Sequence, residues 1–268
     1  MSNEAFNLDA YFKRIKYEGP TDVSFETLKA LHTAHTLNIP FENLDVYLRK
    51  PILIDCETLF NKLVTNKRGG YCFEMNGLFS CVLEAMGFNV KTLLTKGRRR
   101  DGRDFAARTH QVLLVEIDGQ KYLADVGFGN NGLTSPILLE TDLEQQQLTH
   151  TFRLVSDPDH SYRLQYKVDG EYTPLFAFTL DACTLADCQM SNHYTATYPE
   201  SLFRKIRMCT MPTLEGRVTL NEMTFKILAN GELTETLLAN EEEYKQVLKQ
   251  YFNLDLDTIQ LENAPTEE

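Results

Sequence analysis

In "RGGYCFEMNGLFSCVLEAMGF", Arg68 to Phe88, two glycines and a tyrosine precede Cys72, and an apolar pattern of helical period begins immediately behind it. The first turn of a helix carries unpaired N–H groups and a partial positive charge, which together favour a thiolate over a thiol. Gly69 and Gly70 let the backbone come close and leave the sulfur uncovered. The competing cysteines compare poorly. Cys56 lies between Asp55 and Glu57, whose charge disfavours a thiolate, and Cys81 falls about nine positions of ~100° further on, roughly the opposite helix face. Position alone does not separate a nucleophile from a small buried hydrophobe, because cysteine serves as either.

A base decides between them. "RTHQVLLVEIDGQKYLADVGFG" places His110 at the start of one buried strand and Asp125 near the end of the next, joined across Asp118-Gly119. A two-residue turn there pairs Ile117 with Gln120, so Val112 falls opposite Asp125 and His110 opposite Gly127. Parity then sets His110 and Asp125 on one face as diagonal neighbours, ~7 Å apart at the backbone and within side-chain reach. An ionised carboxylate on an apolar strand is costly unless paired, and His110 is the partner this register supplies. Nucleophile, base and orienting acid follow in the chain order Cys72, His110, Asp125.

The elements that must position these residues read as follows. The first 90 residues are mostly helical: Leu8 to Lys16, Phe25 to Leu37 with Leu28, Leu31, His32 and His35 on one face, Glu57 to Val64 behind an N-cap at Asp55, and the helix beginning at Cys72 and stopping at Gly87. From Asn89 to about Ala177 the period falls to two, with turns at Asp118-Gly119 and Asp169-Gly170. Tyr162, Leu164, Tyr166 and Val168 alternate with polar residues, while "QVLLVEI" is apolar on both faces and lies inside. The last third has strands around Arg217 to Leu228, a hairpin at Asn230-Gly231, and a helix opened by an Asn240 and Glu243 capping box, with an acidic tail after Gln260.

At 268 residues, 43% hydrophobic and 24% charged, the chain can bury one large core or two to three small ones. A formal net charge of −11 argues against a nucleic-acid or anionic-membrane surface. No run approaches the roughly 18 apolar residues of a membrane span, and Met1 to Ala10 reads polar and acidic, so the expected location is cytoplasmic. Six cysteines without a C-x-x-C pair suggest reduced thiols and no zinc site.

The sequence resembles the arylamine N-acetyltransferases through "RGGYCFEMN" (Arg68 to Asn76), "THQVLLV" (Thr109 to Val115), "DVGFG" (Asp125 to Gly129), "IPFENLDV" (Ile39 to Val46) and "NHYTATYPESLF" (Asn192 to Phe203). The motifs stand in family order over most of the chain. The resemblance implies an α+β fold in three parts, an N-terminal helical bundle (1–88), a central antiparallel β-barrel-like domain (89–190) and a C-terminal α/β lid (191–268), with a core similar to that of cysteine proteases and transglutaminases. It implies ping-pong transfer of acetyl from acetyl-CoA to the cysteine and then to an arylamine, hydrazine or arylhydroxylamine, with Cys72 as nucleophile, His110 as base and Asp125 as orienter and no metal. Phe128 matches the family's acceptor-lining aromatic and Gly129 the glycine that admits CoA. Thr109 and Phe203 match CoA-contacting positions of some relatives.

An acyl-enzyme must also be kept from water, so aromatic walls such as Phe73 and Phe128 are expected. Lys96 to Arg108 holds six cations against Asp101 and Asp104, a local reversal suited to a solvated loop or to steering CoA phosphates. His32 and His35 have a spacing that metals use, but without a third ligand they read as a core-facing pair. Glu42 and Asn43 in "PFEN" could pair with Arg68 to brace the nucleophile loop. A thiol hydrolase or transglutaminase-like enzyme would use the same three residues on an amide, and a silent binding module would use none of them.

Overall fold

The computed structural model describes residues 7–98, 105–148 and 150–255. The cations Arg99, Arg100 and Arg103, the side chain of Arg98, the acids Asp101 and Asp104, and the tail after Gln260 lie outside the described residues. The N-terminal helices are α1 (Leu8–Ile15) and α2 (Phe25–Asn38), followed by the two-residue strand β1 (Phe41–Glu42) and the short α3 (Leu44–Tyr47). Then come α4 (Cys56–Phe60), a single π-turn segment (Asn61–Thr65) and α5 (Cys72–Ala85). Side-chain caps start them where the sequence suggests: Ser24 accepts from Thr27 N at 3.2 Å and Asp55 from Thr58 N at 2.9 Å. Gly87, at φ +92°, ends α5.

The middle of the chain forms one antiparallel sheet from β2 (Asn89–Arg98), β3 (Phe105–Ile117), β4 (Gln120–Ala124), β5 (Ile137–Leu138), β6 (Gln145–Gln146), β7 (Thr151–Asp157), β8 (Ser161–Val168) and β9 (Glu171–Phe178). Its order is β5-β4-β3-β2-β9-β8-β7-β6, and it curls into a nearly closed barrel. The side chain of Gln145 joins the two ends, accepting from Leu138 N at 2.8 Å and donating to Leu138 O at 3.0 Å. An amide side chain thus substitutes for a strand pair at the seam.

Two helices follow, α6 (Leu185–Thr197) and α7 (Leu202–Lys205). The chain then adds β10 (Met208–Pro212), β11 (Gly216–Asn221), β12 (Thr224–Ala229), β13 (Glu232–Leu237) and α8 (Glu241–Phe252). The second sheet has the order β1-β10-β11-β12-β13, so its first strand comes from the N-terminal segment. At α8, Asn240 accepts from Glu243 N as expected, while Glu243 accepts from Ala239 N rather than from the cap residue itself. No helix among the described residues is long and apolar enough to cross a membrane.

β3 is the wall on which the site is built. Leu113, Val115 and Ile117 pack with the helices, whereas Val112 and Leu114 face the barrel interior with Phe152, Leu164 and Phe176. Burial on both faces is why "QVLLVEI" shows no polar alternation. The third cluster lies between the second sheet and α8, with Leu44 inserted from the N-terminal segment.

Asn43 fixes that insertion. It is 1% exposed, donates from Nδ2 to Phe203 O at 2.8 Å and Ile206 O at 2.7 Å, and accepts from Met208 N at 2.7 Å. Asn43→Ala would strand these buried backbone groups and should lower unfolding free energy by about 3 kcal/mol in urea denaturation; a loss within error of zero would show that the contacts carry no stability.

Candidate active site

α5 begins at Cys72 because the residues before it are held from several sides. Glu74 accepts from Tyr71 N at 3.1 Å, bonding the N-cap backbone. The other oxygen of Glu74 meets Lys62 at 2.6 Å, and Lys62 also meets Asp45 at 2.7 Å. Arg68 donates to Glu42 at 2.6 and 3.1 Å, and Glu42, with no exposed side-chain surface, accepts from Leu44 N. Gly69 is required at its place, since a Cβ there would lie 2.2 Å from Pro40 O. Glu42 thus braces the loop before Cys72 through Arg68, whereas Asn43 faces the C-terminal segment instead.

Cys72, His110 and Asp125 converge. The ring of His110 bonds Asp125 Oδ2 through Nε2 at 2.7 Å, and Cys72 lies close enough to the same ring to favour its charged form. Nε2 being committed to the carboxylate, Nδ1 is the ring nitrogen left for the sulfur. The register expected from the Asp118-Gly119 turn holds, with Ile117 opposite Gln120 and Leu113 opposite Ala124. One feature of β3 lies outside that register. Thr95 pairs with His110 and Lys96 with Arg108, so Thr109 is an extra, bulged residue, and its carbonyl lies 3.8 Å from Cys72 Sγ.

Asp125 is 1% exposed and satisfied on every side. Besides the His110 bond, Oδ1 accepts from Asn76 Nδ2 and Gly127 N, both at 2.9 Å, and Asp125 N donates to His32 Nε2 at 3.1 Å. Asn76, one turn beyond Cys72 on α5, also donates to Gln111 O and accepts from Val126 N. The sequence suggests no site role for Asn76 and only a core-facing one for His32; the position of Asn76 four residues after Cys72, on one helix face, is the signal that points to it. The histidine pair is core-facing as expected, with His35 against Tyr11 OH at 2.8 Å. Gly127 passes so close to α5 that a Cβ would lie 2.9 Å from Cys72 Cα.

The remaining predicted residues are placed unequally. Phe128 stands edge-on to the His110 ring at 5.1 Å between centroids, joined by Phe176 at 5.4 Å from the same ring. Phe73 is fully buried and lines a different cavity from Phe128, so these two aromatics do not form one wall. Phe203 packs on Phe41 and Tyr71, each at 5.9 Å, and Gly129 O accepts from Arg217 Nη1 at 3.2 Å. Arg217 thereby ties β11 to the Phe128–Gly129 loop, and burial lowers it to about 10. The expectation of six reduced thiols fails: Cys56 and Cys81 form a disulfide. The face of α5 opposite Cys72 is the one that α4 covers, with Gly77 against Leu59, so Cys81 meets the first residue of α4.

Electrostatically, burial opposes a charged His110, but the charge and hydrogen bond of Asp125 outweigh it, with Cys72 adding to the effect, and the ring is pushed up to about 10. Burial likewise opposes ionised Asp125, yet His110, Asn76 and Gly127 hold its carboxyl below the usual range. The free cysteines Cys183, Cys188 and Cys209 are all raised by burial, Cys188 to about 12. A cysteine sulfur beside an imidazole that is itself bonded to a buried carboxylate, with Phe128 and Phe176 against the ring, is equipped for acyl transfer through sulfur. Among the described residues no group of three His, Cys, Asp or Glu could hold a metal.

Comparison with known proteins agrees with that class. The N-acetyltransferase family profile matches residues 24–261. An arylamine N-acetyltransferase of Escherichia coli K12 is 38% identical over 252 residues, 93% of this chain and 89% of that protein. The solved arylamine N-acetyltransferase of Salmonella typhimurium superposes with a TM-score of 0.90 at 33% identity, covering 97% of this chain and 94% of that one. A Mycobacterium marinum arylamine N-acetyltransferase in complex with CoA gives 0.89 at 32%, covering 94% of each. The chain belongs to the arylamine N-acetyltransferase family.

Glu42→Ala should cost about 3–5 kcal/mol of stability, because it leaves the Arg68 guanidinium buried without its main partner; chemical denaturation checks this. His110 binds a proton in the folded state between its unfolded value of about 6.5 and about 10, so its contribution to stability is full below pH ~6.5 and lost as pH rises toward 10. Asp125→Asn removes the raising charge, and the His110 midpoint followed by histidine NMR should fall by several units. A midpoint left near 10 would assign the shift to something other than Asp125.

Proposed function

We propose that this protein transfers acetyl from acetyl-CoA to arylamines, hydrazines or arylhydroxylamines by a ping-pong mechanism through a thioester on Cys72. The observation that carries the reading is the single imidazole of His110, bonded to Asp125 at 2.7 Å and set beside Cys72 at the opening turn of α5. Relatives named arylamine N-acetyltransferase, one of them also named N-hydroxyarylamine O-acetyltransferase, and the M. marinum protein in complex with CoA support the acceptor class and the donor.

The chemistry follows from proton location. With the proton on His110, the sulfur attacks the thioester carbonyl, and the collapsing intermediate expels CoA as a thiolate that takes that proton. Thioester exchange is nearly neutral in bond energy, so the first half-reaction needs alignment more than driving force. Neutral His110 then collects the proton of the attacking amine as the C–N bond forms and the C–S bond breaks. Asp125 holds the ring in one orientation and favours its charged form in each half.

Gly129, Thr109 and Phe203 are the proposed CoA contacts, and Phe128, with Phe176 beside it, the proposed acceptor wall; the placement of Phe73 favours a packing role for that residue. The three proposed units remain 1–88, 89–190 and 191–268, although α6 runs across the second boundary and β1 crosses to the C-terminal sheet. The proposed compartment is the cytoplasm, where a CoA thioester is at hand.

Rapid mixing with acetyl-CoA in the absence of acceptor should release one equivalent of CoA and leave acetyl on Cys72 by peptide mass spectrometry, with an arylamine then restoring turnover. Cys72→Ser should reduce transfer by about 10⁴-fold or more with the fold retained. Hydrolysis of acetyl-CoA with no acceptor product would favour a thiol hydrolase, and binding without any burst would favour a silent module.

A further inference from the structure

We propose that the Cys56–Cys81 disulfide is a thiol-exchange site, opened by low-molecular-weight thiols and closed by their disulfides, which sets how firmly the helix bearing Cys72 is held. Three observations carry it. The bond joins α4 to α5 across 25 residues of chain, and the loop it closes contains Cys72 itself. Cys56 is exposed and Cys81 half-exposed, so neither sulfur is sealed in the core. Both line an open cleft of about 460 Å³ whose walls also include Phe73 and Gln111, the residues directly after Cys72 and His110.

The exchanging thiol must come from outside. Cys183 and Cys188 line the same cleft, but burial raises both, so neither is a ready thiolate near neutral pH. In the exchange an external thiolate attacks one sulfur, the Cys56–Cys81 bond breaks, a mixed disulfide forms, and the other cysteine leaves as a thiolate and takes up a proton. A second external thiol displaces the first, yielding the small-molecule disulfide and two cysteine thiols. Two electrons pass from the two external thiols to the protein bond, and the reverse sequence closes it. The established chemistry of an exposed disulfide in a reducing compartment favours such opening.

The consequence runs through α4. The segment that follows it carries Lys62, whose ammonium holds Glu74, and Glu74 bonds the N-cap of α5. The α4 segment therefore grips α5 near Cys72 by an ion pair and one face away by the disulfide. Removing the covalent grip releases a 25-residue loop from its constraint in the unfolded chain and loosens the base on which Cys72 stands. The effect on transfer rests on the function proposed above; the exchange itself does not.

The test incubates the intact protein under native conditions in reduced and oxidised glutathione at a series of ratios, then traps free thiols and maps residues 56 and 81 by mass spectrometry. The expected result is reversible opening and closing that follows the ratio, with the opened form melting about 5–10 °C lower and releasing CoA more slowly in the acetyl-CoA burst. The double variant Cys56→Ser, Cys81→Ser should melt like the opened form and ignore the ratio, and Cys183→Ser should respond like the native protein. A bond that opens only in denaturant, or residues 56 and 81 that stay as thiols in oxidised glutathione, would overturn the proposal. Exchange with no change in Tm or burst rate would overturn its structural consequence. A normal burst with no exchange would leave the proposed transfer standing and remove this site alone.

Discussion

A carboxylate almost wholly removed from water stays ionised only if nearby donors and charges replace its hydration, and Asp125 is surrounded by them. Imidazole, amide and backbone N–H groups converge on its two oxygens, and each donor belongs to a different piece of structure: His110 on β3, Asn76 on α5, Gly127 on the loop after β4. Satisfying this one group therefore aligns α5, β3 and the loop after β4 with one another. The raised His110 is the counterpart of the lowered Asp125, and the pair places a proton on the imidazole next to the sulfur.

The second requirement is a fixed origin for α5. A buried ionic cluster of Glu42, Asp45, Lys62, Arg68 and Glu74 surrounds the turn that leads to Cys72. Such clusters are weak evidence of net stability, since desolvation offsets much of their attraction, but removing one partner is costly. Their value here is positional: Arg68 and Lys62 tie the loop to Glu42, Asp45 and Glu74, and Gly69 lets its backbone lie against Pro40. Asn43 and Arg217 then hold the C-terminal sheet to the same region from two sides.

Much of the site was legible because it depends on local rules. The start of α5 follows from its apolar period, the double-sided burial of β3 from its lack of alternation, and the His110–Asp125 diagonal from the Asp118-Gly119 turn and strand parity. What escaped depends on contacts between distant segments. The bulge at Thr109, the partnership of His32 with Asp125 N and the joining of Cys56 to Cys81 are set by how elements pack, and spacing along the chain does not encode them. β1 is two residues long, too short to show a period. The helix α6 did leave a signal, since Thr184 and Asp187 form a capping box, but its weakly amphipathic body gave no clear stripe behind it.

The central claim of the proposed function is that Cys72 and the bonded pair His110–Asp125 act as one unit in acyl transfer. The most direct measurement is a crystal structure of the protein exposed to acetyl-CoA without acceptor. The account predicts acetyl density on Cys72 Sγ with the His110–Asp125 bond intact. Acetyl on another side chain, or an imidazole turned away from both partners, would contradict it.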